Sequence, residues 1–403
     1  MERFQQSKVV NAREFKSSPL NWALFFGSVF FFISIMFASI AIYPGYSLAI
    51  GSTPFQAGLQ NTAFGITSVI LRFFLGPVMD RKGLKPLMLV GVFSFATSPL
   101  LLLISPTYPF LLASRMYQAL GLAVFLPGMS ALTAEMAPPG RIGTFIGATR
   151  ISLNLALLAG PAGALLLIEA SGYYSWFMVS SIASTISFAC LFLVRTPPIR
   201  TAGGKKNGSF ELIAEALKEK QVYPIIISIA IYAFAYSAVI SFSTVHIEIA
   251  APGLEAAYFF IILGLAGIAS CLATGHLSDL FGRQKTAWPM MALIGLGAIA
   301  FAFLPFWPAL MVFCAILFGV GIQGTSLVFV AWLIDISKPE LRATTISLQE
   351  NTIDIFFALG ALCFGLAAQG PGLASAFLIT GLVTLATILP LRRKSAALAG
   401  NKS

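Results

Sequence analysis

Two carboxylates, Glu350 and Asp354, stand one helical turn apart inside a long apolar run. Three arginines, Arg72, Arg115 and Arg150, stand inside other apolar runs. An ionisable side chain in such surroundings is costly, so each marks a place where charge is used. The chemistry open to these types is ion pairing and proton exchange. A carboxylate holds its proton more tightly in a dry setting and less tightly beside an arginine, so a changing distance between them loads and releases a proton. The proton-coupling candidates on this ground are therefore Glu350 and Asp354, with Arg72. The static alternative is a buried ion pair that only fixes helix register. At 1.5 Å per residue, Arg150 and Glu350 lie about 13 Å into their runs and Asp354 about 20 Å, in a hydrocarbon core of about 30 Å. Arg115 and Arg72 can reach an interface by snorkelling.

Three arginines against two acids leave the interior net positive. That favours an anionic or zwitterionic solute, with Arg150 as its contact. Asn154, Tyr232, Tyr236, Gln323, Gln349 and Asn351 lie at similar depth. Each is a substrate-binding candidate, and each also reads as a plain helix–helix hydrogen bond. Glu169, His246, Glu248 and Glu255 fall near run ends and read as solvated, with a proton relay the other role for His246. There are only two histidines and no metal-ligand spacing,. No nucleophile–base constellation appears either, so an enzyme is not expected.

Long helices must position these charges. Of 403 residues, 58% are hydrophobic and 10% charged, with a mean hydropathy of +0.88; a soluble domain averages about 25% charged residues. Twelve runs are long enough to span a bilayer: 20–44, 55–78, 86–105, 108–134, 141–168, 174–194, 222–247, 256–278, 286–305, 308–334, 342–368 and 373–391,. Transmembrane strands would alternate over about 10 residues, and these runs do not. The first run is too long for a signal-peptide core and is expected to remain as a helix. All 25 Lys and Arg except Arg72, Arg115 and Arg150 lie in the tails or in loops after even-numbered runs. This bias predicts a multi-pass protein of the cytoplasmic membrane with both termini cytoplasmic. It also accounts for the net charge of +10 without nucleic acid. The cysteines Cys190, Cys271, Cys314 and Cys363 sit singly in apolar runs and read as small core residues,.

The chain repeats itself. Gly76, Asp80 and Gly83 recur as Gly275, Asp279 and Gly282, each 199 positions on. Arg150 and Asn154 map onto Glu350 and Asp354, each 200 positions on. An internal duplication follows, with six helices per half related by an axis along the membrane normal. Residues 1–194 form one bundle and 222–403 the other. Between them, 195–221 read as a basic cytoplasmic linker ending in an amphipathic helix.

The segment "GPVMDRKGLK", with its weaker copy "GHLSDLFGRQK", resembles the signature loop of the major facilitator superfamily. "SRMYQALG" in the fourth run and "GATRISLNLALLAGPAG" in the fifth resemble that family's Arg-x-x-Gln-x-x-Gly and Gly-Pro elements. "LRFFLGPVMDRKG" resembles a bacterial efflux branch. The resemblance implies an all-α fold of twelve transmembrane helices in two pseudo-symmetric bundles. It implies a gating loop built from Gly76, Asp80, Arg81, Gly83 and Lys85, and from Gly275, Asp279, Gly282 and Arg283, that latches the cytoplasmic side shut. Helices 5 and 11 would border a central cavity, and Arg115 would be a coupling arginine. Gly76 would admit a neighbouring helix, and the basic residues would face headgroups or Glu135. Gly147, Gly160, Pro161 and Gly163 would pack helix 5 tightly against proton leak.

The expected function is proton-coupled export of a small organic solute by alternating access. Uptake by a symporter or facilitator, and a receptor built on a transporter fold, are the alternatives. The expected partners are the solute and membrane lipid, with no nucleic acid and a monomeric chain. No cofactor is expected beyond a proton gradient.

Overall fold

The structure, a computed structural model, describes residues 17–138, 142–197, 222–337 and 342–400; the side chains of Pro77, Asp80, 142–144, 146, 342–344, 347 and 398–400 lie outside that description. The expected amphipathic helix of the linker also lies outside the described residues.

The helices are α1 (Pro19–Ala49), α2 (Pro54–Lys82), α3 (Leu84–Ile104) and α4 (Tyr108–Met136). A continuous run Ile142–Leu193 follows, broken at Gly172 (φ 76°, ψ 175°). We call its arms α5 (142–171) and α6 (173–193). Then come α7 (Val222–Ala250), α8 (Ala256–Phe281), α9 (Arg283–Ala302), α10 (Leu310–Ile336), α11 (Arg342–Gln369) and α12 (Gly372–Gly400). Among the described residues, ten helical runs are long and apolar enough to cross a membrane. Large side chains such as Phe74, Leu272 and Ile379 are exposed around the outside, where acyl chains would cover them,.

Local chemistry sets the ends. Thr53 and Gln56 form a reciprocal capping box at the start of α2, with Pro54 in its first turn,. At the other end of α2, Gly83 turns the chain into α3 at φ 90°; Gly282 does the same between α8 and α9 at φ 89°. Only glycine adopts that conformation without strain. The duplicated loops therefore share a backbone as well as a motif.

The two halves are built alike. In the first, α3 packs on α4, and α2 on α4; in the second, α9 packs on α10, and α8 on α10. Small polar residues bring helices together, as where Ser187 on α6 donates to the Ser28 carbonyl on α1 at 2.8 Å,. Between the halves, α2 meets α11 and α5 meets α8.

These two seams are not uniform. Along one face of α2, Gly58 abuts Ala361 and Gly365, and Thr62 donates to the Ala358 carbonyl at 2.9 Å. Arg72 reaches Asp354, and Gly76 then has nothing within 4 Å of its Cβ position. Along α5, Leu158 abuts Gly264 and Asn154 bonds Cys271; Arg150 is half exposed, and Gly147 faces open space. The halves are thus packed at one end and splay apart towards the end that carries the basic loops. Among the described residues, none makes the close approach expected at Gly76.

The packed end can be tested directly. A Cβ on Gly264 would run into the Leu158 side chain and backbone. Gly264→Leu is therefore expected to wedge that end apart. Spin labels on Pro106 and Trp307, in turns of opposite halves at the packed end, should report a longer distance than in the parent chain. An unchanged distance would mean that this contact does not hold the seam.

Candidate functional site

The cleft is lined where α2 and α5 of the first half face α11 of the second. Arg72 Nη2 lies 2.6 Å from Asp354 Oδ2, with side chains 18% and 15% exposed. Its Nη1 donates to Asn351 Oδ1 at 3.0 Å. Arg150 Nη2 lies 3.9 Å from Glu350 Oε1, with side chains 49% and 43% exposed. The first pair is a close, partly dry ion pair. The second is looser and wetter, with room for another molecule to compete. Both cross from one half to the other, so neither survives a rearrangement that separates α11 from α2 and α5.

Around these pairs, Tyr232 and Tyr236 of α7 stack at 5.8 Å, and Tyr236 meets Phe357 edge-on at 5.5 Å. The Tyr232 hydroxyl shares a hydrogen bond with Ser326 on α10 and lies in electrostatic range of Glu350 and Arg150. Asn154 Nδ2 donates to Cys271 Sγ at 3.4 Å across the α5–α8 seam. Gln349 is buried and its Oε1 has no partner among the described residues. Gln323 packs against Gly267 of its own half.

Arg115 departs from expectation. It is fully buried and does not snorkel. Its guanidinium donates to Asn61 Oδ1 at 2.7 Å, Gln118 Oε1 at 2.7 Å and Ser39 Oγ at 3.1 Å. It sits 3.9 Å from the centre of the Phe64 ring and 5.2 Å from that of Tyr43. Three oxygen acceptors and two aromatic faces hold the charge, and they staple α1, α2 and α4. Its partners all come from the first half, so Arg115 does not take part in the cross-half pairs. The charge at the cleft is therefore balanced, two arginines against two acids, and the net positive interior inferred from three arginines does not hold there.

The loops differ as well. Lys85 Nζ donates to the Phe192 and Val194 carbonyls at 2.8 and 2.7 Å, capping the end of α6,. Arg81 is exposed, and the side chain of Asp80 lies outside the described residues. In the second copy, Arg283 pairs with Asp279 and donates to Asp335 Oδ2 at 2.9 Å and Ser278 Oγ at 2.6 Å. The arginine missing directly after Asp279 is thus supplied from beyond Gly282. In helix α5, Gly160 lies against the Ser34 backbone of α1 and Pro161 is buried, whereas Gly147 and Gly163 meet nothing within 4 Å. Of that element's three glycines, Gly160 alone makes the expected tight packing.

Cys314 is buried, but Cys363 is exposed and Cys190 and Cys271 are intermediate, so a common core role does not hold. His246 is buried, not solvated. Asn61 and Ser39 were missed as partners of Arg115. A polar residue in a run preceding an intramembrane arginine was the only available signal.

A family model described as the Major Facilitator Superfamily matches residues 24–333. The quinolone resistance protein NorA of Staphylococcus aureus is 21% identical over 210 residues, 52% of this chain and 54% of that protein. The multidrug transporter MdfA of Yersinia pestis is 28% identical over 172 residues, 41% of each. The chain spans about half the length, or less, of these curated relatives. Among solved structures, the nucleoside transporter NupG superposes with a TM-score of 0.77 at 14% identity, covering 94% of this chain and 99% of that one. A bacterial homologue of the human lysosomal transporter Spinster, inward-facing and unoccupied, gives 0.71 at 16% identity, covering 95% and 97%. At these identities the two structures bear on fold alone.

The Arg115 staple yields a prediction. Asn61→Leu removes an acceptor from a fully buried cation and should cost about 2 kcal/mol, read as a lowered Tm. Asn61→Asp keeps the acceptor and adds a countercharge but gives up the Nδ2–H donated to the Ile40 carbonyl at 3.0 Å, so its Tm should fall less than that of Asn61→Leu. An equal fall in both would assign the effect to packing.

Proposed function

The chain belongs to the major facilitator superfamily, and from that premise we propose that it exports a small organic solute from the cytoplasm in exchange for protons. It is a multi-pass membrane transporter. The basic loops place the open end of the cleft at the cytoplasm on this reading, and the conformation is then inward-open. The observation that carries the coupling is that Asp354 and Glu350 draw their arginines from the opposite half. Asp354 takes its proton in the outward-open state, and the neutralised carrier turns inward. Release of that proton to the cytoplasm restores the Arg72–Asp354 attraction, and solute competing for the cleft charges loosens the seam for the outward step.

Charge balance shapes the substrate. A solute that displaces Glu350 from Arg150 must satisfy the guanidinium and leave the carboxylate with a partner. A zwitterion does both, whereas a simple anion strands Glu350. The stacked tyrosines beside the pair supply a flat apolar wall for the rest of the molecule,. Similarity to proteins named for quinolone resistance and multidrug transport supports efflux of such organic molecules.

Asp354→Asn and Glu350→Gln should each lower proton-gradient-driven transport at least tenfold while the protein still reaches the membrane. Asp354→Asn also leaves Arg72 without its counter-ion in a mostly dry site, a loss of about 3–5 kcal/mol for pairs of this kind. Arg72→Gln in the same chain should recover the lost stability but not the coupling. Wild-type proton dependence in both single variants would overturn the coupling assignment. In inverted vesicles, accumulation of labelled solute driven by an acid-inside, outwardly directed proton gradient is the expected direction. Gradient-driven depletion would establish uptake instead. In a thermal-shift screen, zwitterions should stabilise the protein more than matched anions or cationic dyes.

A further inference from the structure

A second cavity lies at the packed end, about 440 Å³ in volume and away from the charged cleft. That is within the range of small-molecule sites. Its walls come from both halves: Leu48 of α1 and Ala57 of α2 on one side, Phe242, Val245 and His246 of α7 and Leu373 of α12 on the other. No lysine, arginine, aspartate or glutamate is among the lining residues. An ion would lose its hydration there with no counter-charge, so a neutral occupant is selected.

His246 supplies the one titratable polar side chain. It is 3% exposed, held between the Phe301 and Phe377 rings at 4.9 and 5.1 Å. Its Nε2 lies 2.9 Å from the Phe301 carbonyl, which can only accept, so Nε2 carries the hydrogen,. The lone pair of the neutral ring is then on Nδ1, which has no hydrogen-bond partner among the described residues. An acceptor with no protein partner in an otherwise apolar wall is open to a donor.

We propose that this cavity binds a small neutral amphiphile with a single hydrogen-bond donor, a phenol or an alcohol, and that its occupancy holds the two halves together at the packed end. The hydroxyl donates to His246 Nδ1, and the hydrocarbon fills the apolar remainder. Because the walls belong to separate halves, the site exists only while that end is closed. By linkage, an occupant favours the conformation described above and slows any cycle that must open it. The inference rests on the two-half fold and not on the direction or coupling of transport.

Binding is measured without transport, on the full-length purified protein, by titration calorimetry and thermal shift. The probes are 4-butylphenol and 4-butylanisole, its methyl ether, which has no donor. Saturable binding is expected, with the phenol at least tenfold tighter. Ala57→Phe and Val245→Trp, which fill the cavity, should each abolish it. His246→Phe should erase the difference between phenol and ether. Gly264→Leu, outside the cavity lining but wedging the same end apart, should weaken both ligands at least tenfold. Should His246→Phe fail to fold, the phenol-to-ether ratio in the parent and the two filling variants decide. Absence of saturable binding, equal affinity for phenol and ether in the parent, or binding untouched by either filling variant would overturn the site. Unchanged binding in Gly264→Leu would overturn the link to conformation.

Discussion

A charge inside hydrocarbon persists only beside a partner, and here the partners sit on different bodies. Asp354 and Glu350 belong to α11, and Arg72 and Arg150 belong to α2 and α5. The polar interior is therefore an attraction across a seam, not a staple within a bundle. Contrast Arg115, whose acceptors come from its own half and which would keep them through any rigid-body motion. One arginine fastens helices into a unit; two fasten that unit to the other, under the control of carboxylates that can be neutralised. A rocking mechanism needs both kinds of contact, and the same residue type serves each according to where its oxygen acceptors come from.

Duplication explains how this arose without repeating it. The loop glycines Gly83 and Gly282 keep one backbone conformation, since a turn of that shape admits no other residue cheaply,. The cleft positions have diverged: Arg150 meets its counterpart Glu350 as opposite charge, whereas Asn154, the counterpart of Asp354, is neutral and bonds Cys271. Two like charges at matched positions would repel across the seam. The Arg115 position has no echo at all, because 200 residues on stands Ala315. Fold is conserved between the halves where the backbone demands it, and charge is redistributed where the halves meet.

Much of this was readable in the chain. Apolar run length, the basic loops and the 199-residue offset specify twelve helices in two like bundles, because lipid leaves few other ways to satisfy a backbone. The cross-half pairing of Glu350 and Asp354 was legible as depth plus complementary charge. What failed was direction around a helix axis. Arg115 lies near a helix end, so snorkelling was a fair expectation, but Asn61, Ser39 and Phe64 turn it inwards, and they sit on other helices. His246 near the end of α7 was read as solvated for the same reason; α7 packs against both halves and is buried almost to its end. Gly76 and Gly147 read as contacts, but among the described residues nothing lies within 4 Å of either Cβ position. Sequence carries the face and not the state.

The state has its own physical logic. Small residues, Gly58 against Gly365 and Gly264 against Leu158, let backbones touch at one end. Such contact is gained from dispersion and lost abruptly with distance, so it favours a closed seam over a partly open one. The ion pairs lie deeper, between that dry seam and the open cleft. Their attraction reaches further than dispersion but weakens as water enters. Opening the dry end must first spend the pairs, and a carboxylate that takes up a proton removes much of that barrier at once. The graded seam, dry contact first, then charge, then open water, places the protonation step where it has most leverage over which end opens.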